Sequence, residues 1–175
     1  MTGTIRDLLI QEMQDLYDAE KQLVKALPKM VKAASNEELS EAFGSHLEQT
    51  KGQVERLERA FEALDVKPKN KACAAMKGLI NEAKEEIESN QKGPLGDSAM
   101  ICAAQKVEHY EIAGYGTLKA WAEELGLDDV AALLRETLDE EKEANTKLTA
   151  IAGKVLADSS REESEESLEE ARSHR

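Results

Sequence analysis

Apolar residues recur at steps of three and four along almost the whole chain, the period of amphipathic helices rather than strands. A first stripe, Leu9, Met13, Leu16, Leu23, Leu27 and Met30, predicts a helix over about residues 4–34. Pro28 falls inside it; proline lacks an amide hydrogen and crowds the carbonyl four residues back, here Val24, so a kink or an early stop is expected. Ser35-Asn36-Glu37-Glu38 has the form of a capping box and opens a second helix, about 36–64, carrying Leu39, Phe43, Val54, Leu57, Phe61 and Leu64. Asp65-Val66-Lys67-Pro68 closes it. A shorter amphipathic segment, about 71–89, holds Met76, Leu79, Ile80 and Ile87. The breaker Gly93-Pro94-Leu95-Gly96 follows, with Asp97 or Ser98 placed to cap a helix over about 98–125 and Gly126 as its C-terminal stop. Asp128 is expected to cap the last helix, about 129–157.

Connection lengths turn these helices into a topology. The first two long helices, and the last two, are joined by short links, so each pair is expected to fold as an antiparallel hairpin. The link between the pairs is long and contains its own short helix. The expected fold is therefore all-α: a ferritin-like four-helix bundle with one long crossover, spanning residues 1–157. Residues 158–175 hold seven acidic and three basic side chains and almost nothing apolar, and read as an acidic, mobile tail.

Composition narrows the function classes. With 36 acidic against 23 basic side chains in 175 residues, the net charge is −13, which argues against nucleic acid and anionic lipid as partners. No apolar run approaches the roughly 20 residues of a membrane helix. Met1 to Asp7 has neither the basic nor the apolar part of a signal peptide, and Cys73 and Cys102 form no metal or disulfide pattern; a cytoplasmic protein is expected.

The informative residues are polar groups on stripes that should be core. The first stripe carries Glu20 between Leu16 and Leu23, and the second carries His46, with Gln49 at its margin. The third carries Glu108 and Glu111 (followed by Tyr115), and the last, read as Val130, Leu133, Thr137, Glu140, Ala144 and Leu148, carries Glu140. All lie near mid-helix, so bundling brings them to one level. Buried ionised carboxylates need compensation, and no lysine or arginine lies centrally on these stripes, so a cation is called for. Carboxylates with one imidazole suit iron or manganese, and bundle cores build dinuclear sites of this kind. The metal set is thus Glu20, His46, Glu108, Glu111 and Glu140, with Gln49 and Glu143 as secondary candidates; Glu141 and Glu143 belong to a stretch that reads as a solvated face. A faint internal repeat aligns His46 through Leu57 with Thr137 through Leu148 and sets Gln49 opposite Glu140.

At these same residues the chain resembles the YciF-type stress proteins of the ferritin-like superfamily. The resemblance rests on Leu16-Tyr17-Asp18-Ala19-Glu20-Lys21-Gln22-Leu23, on Ala42-Phe43 with His46-Leu47-Glu48, and on Gln53 with Arg56-Leu57. It is strongest in Ala104-Gln105-Lys106-Val107-Glu108-His109-Tyr110-Glu111-Ile112-Ala113 with Tyr115-Gly116-Thr117-Leu118, and extends to Leu138–Lys142 and Lys147-Leu148-Thr149. It implies a ferritin-like bundle, a homodimer, induction under stress, and a two-metal centre using Glu20, Glu108, Glu140 and His46. The chain departs from the superfamily pattern in having no Glu-x-x-His on its second or last helix. Two functions are expected to compete. One is a ferritin-like stress-response protein whose two-metal centre of iron or manganese handles ferrous iron, oxygen or peroxide, a metal-dependent oxidoreductase of ferroxidase or peroxide-handling type if it turns over. The other is a non-catalytic helical protein that oligomerises or protects without a functional metal site.

Overall fold

A computed structural model of the chain describes residues 3–69, 71–89 and 92–173, with side chains as far as residue 161. Five helices follow one another: α1 (Ile5–Ala33), α2 (Glu37–Ala63), α3 (Ala74–Ser89), α4 (Pro94–Glu124) and α5 (Asp128–Ser173). No strand occurs among the described residues.

The helix ends show how the sequence sets these limits. Thr4 and Asp7 cap α1 reciprocally: the Thr4 hydroxyl accepts the Asp7 amide at 3.1 Å while the Asp7 carboxylate accepts the Thr4 amide at 3.1 Å. Pro28 does not end α1, which runs on to Ala33; buried Leu27 and Met30 hold its last turns in the core against the cost of one missing backbone bond. The expected capping box at Ser35 is replaced by a cap one residue later, where the Asn36 side chain accepts the Leu39 amide at 3.0 Å. Ser35 instead accepts the Gly93 amide through its hydroxyl at 2.9 Å.

Two helices stop on left-handed residues. Asp65 (φ 54°) ends α2, and the Val66 amide returns to the Phe61 carbonyl at 3.0 Å. Gly126 (φ 67°) ends α4 in the expected way, with the Leu127 amide bonded to the Ala122 carbonyl at 2.9 Å. α4 begins at Pro94, about a turn earlier than the sequence pattern indicates, because proline at a first helical position has no amide to leave unpaired. Asp97 therefore lies inside α4 and caps a different helix junction: its buried carboxylate accepts the Ser35 and Asn36 amides at 2.8 and 2.7 Å. α5 continues well past the expected stop near Ala157, with no glycine or proline after Gly153 to halt it. The far end of the expected tail, residues 174 and 175 and the side chains from 162 onward, lies outside the described residues.

The contact of Asp97 with the α1–α2 turn also settles the topology. It places the start of α4 at the same end of the molecule as the start of α2, so the link from Asp65 to Gly93 runs the length of the bundle. α3 rides in that link against α1 and α4, while α1, α2, α5 and α4 form the ring of four. This is the ferritin-like arrangement expected from the connection lengths.

The core is not continuous. One apolar cluster gathers Leu23, Leu27, Phe43, Met100, Ile101, Leu148 and Ile151 toward the α1–α2 turn. A second gathers Leu9, Met13, Leu16, Leu57, Phe61, Tyr115, Leu118 and Leu134 toward the other end. Between them every helix of the ring contributes buried polar side chains: Glu20, His46, Glu108, Glu111 and Glu141 among them.

Candidate metal centre

The polar layer is a knot of acids with one imidazole. His46, Glu108, Glu111 and Glu141 each present a donor atom, and these four atoms lie within 4.8 Å of one another. His46 Nε2 is 3.5 Å from Glu108 Oε1 and 3.9 Å from Glu141 Oε2. Glu20, Glu111 and Glu141 are fully buried, Glu108 and His46 very nearly so. Glu20 adjoins the group, its other side held by the Tyr115 hydroxyl, which donates to Glu20 Oε1.

Burial is the main force on these groups. It pushes the carboxyls of Glu20, Glu108 and Glu111 well above the usual carboxylate range, and the charge of neighbouring acids, Glu141 for Glu20 and Glu108 and Glu20 for Glu111, adds to the effect. The Tyr115 phenol is likewise pushed up, by burial and then by the charge of Glu20. Among the described residues no lysine or arginine pairs with any of the four acids. Both His46 nitrogens, both Glu111 oxygens, Glu20 Oε2, Glu108 Oε2 and Glu141 Oε2 are buried without a hydrogen-bond partner. Unsatisfied buried polar atoms are rare and costly, and here they converge on one point. A cation matches that donor set of hard oxygens and one imidazole.

Of the expected residues, the bundle buries Glu20, His46, Glu108 and Glu111 in one layer and brings the donor atoms of the last three together. Glu140 is a correction. Its carboxylate is not among the clustered donors and takes a two-armed contact from Arg56, Nη2 to Oε1 at 2.9 Å and Nη1 to Oε2 at 3.0 Å. Arg56 also bonds Glu136 at 2.7 Å and Thr137 at 2.7 Å, so this pair is electrically complete without an ion. The inward acid of α5 is Glu141, one residue on and about 100° around the helix.

Gln53, whose role the stripe alone does not reveal, joins the two: its amide donates to Glu140 Oε2 at 3.0 Å and to Glu141 Oε1. It thereby turns one face of Glu141 outward to protein and leaves Oε2 for the layer. The two secondary candidates stand apart. Gln49 is half-buried and Glu143 exposed, both along the mouth of a cavity rather than among the clustered donors.

Comparison with known proteins agrees with this fold. Residues 4–160 match the family described as "Domain of unknown function (DUF892)". The chain is 54% identical over 150 residues to Protein YciF of Escherichia coli K12, covering 85% of this chain and 90% of that protein. The crystal structure of that E. coli stress protein superposes with a TM-score of 0.86, covering 88% of this chain and 98% of the other. YcfI from Rhodopseudomonas palustris is 51% identical with a TM-score of 0.81, covering 85% and 94% of the two chains. A protein from Xanthomonas campestris, only 21% identical, shares the fold, with a TM-score of 0.71 over 92% of this chain and 99% of that one. No described helix is long and apolar enough to cross a membrane.

Proposed function

The chain belongs to the DUF892 family, and on that premise we propose that it is a ferritin-like stress-response protein with a two-metal centre of iron or manganese in its bundle core. The observation that carries this reading is the set of buried, unpartnered donor atoms on His46, Glu108, Glu111 and Glu141, four residues from three helices within 4.8 Å. With Glu20 counted, four carboxylates share one dry layer, and two divalent ions are what neutralises them. Iron or manganese, when bound there, supplies one-electron redox chemistry and a Lewis acid for oxygen, peroxide or ferrous iron.

The chain's own groups do the rest. His46, Glu108, Glu111 and Glu141 would hold the ions, with Glu20 as a fifth donor. Gln53 fixes the rotation of Glu141, and Tyr115 fixes that of Glu20. The apolar clusters on either side of the layer keep bulk water from competing for the donors.

Elemental analysis of the full chain purified without added metal tests the proposal. Near-stoichiometric iron or manganese, lost in Glu108→Ala, is the expected result. A metal-free protein whose melting temperature ignores added Fe(II) and Mn(II) overturns it. Peroxide loss and ferrous oxidation measured against free metal then decide whether the centre turns over.

A second reading has its own support. Burial pushes the carboxyls of Glu20, Glu108 and Glu111 toward their neutral, protonated form, which favours a layer without an ion and a non-catalytic, protective bundle. In that case a variant with Glu20, Glu108 and Glu141 all changed to Gln would fold and protect cells as the parent does.

A further inference from the structure

Beside the centre lies a cavity of about 100 Å³ that the ions themselves do not account for. Its inner end is formed by His46 and Glu108. Its walls are apolar, among them Leu27 from α1, Phe43 from α2, Ala104 from α4 and Leu148 from α5. It reaches the surface between α2 and α5, where half-buried Gln49 and exposed Glu143 and Lys147 stand at the mouth.

Size and lining together select what enters. A water needs at least about 10–15 Å³ of such a cavity, so an ion carrying six of them would fill nearly all of it and press its shell against the apolar walls. Stripping that shell against leucine and phenylalanine has no compensation before the ion meets His46. A cavity of about 150 Å³ lined by apolar side chains accommodates benzene, so about 100 Å³ holds roughly four heavy atoms. Hydrogen peroxide is small enough, but most of the lining offers its two hydroxyls no partner. A weakly hydrated molecule meets no such cost, and gains by leaving water.

We propose that this cavity is a binding chamber for a small, uncharged, weakly hydrated oxidant, dioxygen or a short alkyl hydroperoxide, which it presents to the His46–Glu108 edge of the centre. This rests on the metal-centre reading above and narrows it: the oxidant and the metal ions reach the layer by different routes. Ala104 and Ala144 are small residues of its wall on α4 and α5 that carry no donor atom, and a larger side chain at either narrows it.

Xenon, an uncharged probe of suitable size, tests the chamber on the metal-free full-length chain by methyl NMR. Saturable shifts confined to the methyls of Leu27, Ala104, Ala144 and Leu148 are expected. Ala144→Leu should weaken them at least about tenfold, a loss Ala104→Leu reproduces if one variant misfolds. Manganese affinity of the same variants should stay within about twofold of the parent. Ethyl hydroperoxide should displace xenon, and hydrogen peroxide at equal concentration should not. Manganese binding without saturable xenon shifts overturns the chamber and leaves the centre standing. Xenon shifts without manganese binding support the cavity and overturn the centre. Equal displacement by both peroxides overturns the selection for weak hydration.

Discussion

Glu141 and its neighbour Glu140 differ by one position and should respond to the same substitution with opposite signs. In the metal-free chain Glu141 sits among buried acids, with donor atoms no more than 4.8 Å apart. Two unit charges at that separation repel by about 3.5 kcal/mol at an effective dielectric near 20. Burial keeps part of the acid cluster protonated, so Glu141→Gln should recover about 1–2 kcal/mol of that and raise the metal-free melting temperature by about 2–8 °C. The new amide oxygen still accepts from Gln53, so no hydrogen bond is forfeited. The same change removes one of the proposed ligands. At a Mn(II) concentration of about 100 Kd the parent gains about 2.7 kcal/mol, or about 5–11 °C, and Glu141→Gln should gain almost none.

Glu140→Gln reverses both outcomes. It breaks the two-armed contact with buried Arg56 while Glu136 and Thr137 remain bonded to the guanidinium. A loss of about 1–2 kcal/mol is expected, with the response to Mn(II) intact. Thermal melts of parent and both variants, with and without Mn(II), measure all of this. A Glu141→Gln chain that melts lower than the parent without metal, or keeps the full metal response, refutes the account of the layer. So does a Glu140→Gln chain that loses that response.

Three further outcomes follow from the same coordinates. Glu20, Glu108 and Glu111 hold their protons to higher pH folded than unfolded, so the metal-free chain should lose stability as pH rises above the ordinary carboxylate range. Each group still protonated contributes about 1.4 kcal/mol per pH unit to the loss, read by urea unfolding between about pH 4.5 and 6.5, and Mn(II) should reverse the slope because ligation releases those protons. Tyr115→Phe leaves Glu20 Oε1 without its donor and should cost the metal-free chain about 1–3 kcal/mol by the same assay. Asp97→Ala frees the Ser35 and Asn36 amides at the junction of α1, α2 and α4 and should cost about 2–4 kcal/mol without altering metal content, measured by unfolding and elemental analysis in parallel.

What was legible in the sequence, and what was not, divides along a single physical line. Period and punctuation were enough for the ring of helices, because each long helix buries one stripe and the crossover is too long for an up-and-down bundle. Glu20, His46, Glu108 and Glu111 were legible for the same reason: each lies on a stripe of buried residues, Leu16 and Leu23 beside Glu20, Phe43 before His46, and Ile101 and Tyr115 on either side of Glu108 and Glu111. α5 is different. Both Glu140 and Glu141 lie at helical spacing from Thr137, by three and by four, and the stripe through Leu133 and Thr137 lands on the wrong one. The seven-residue series Leu134, Glu141, Leu148, Val155 carries the signal that separates them, since all four are buried and equal steps of seven keep one face. The internal repeat held the same hint: it aligns Glu141 with Thr50, which is fully buried, and Glu140 with Gln49, which is not.

What no pattern along one helix can carry is a partner on another. Arg56 neutralises Glu140 across α2 and α5, and Gln53 couples both acids, so which carboxylate remains without a counter-charge is decided only when the helices meet. The chain thus spends the one arginine buried among the described residues beside the layer rather than in it. An acid knot left uncompensated next to an available cation is costly for folding alone. That placement is what favours the proposed ion over a purely structural core.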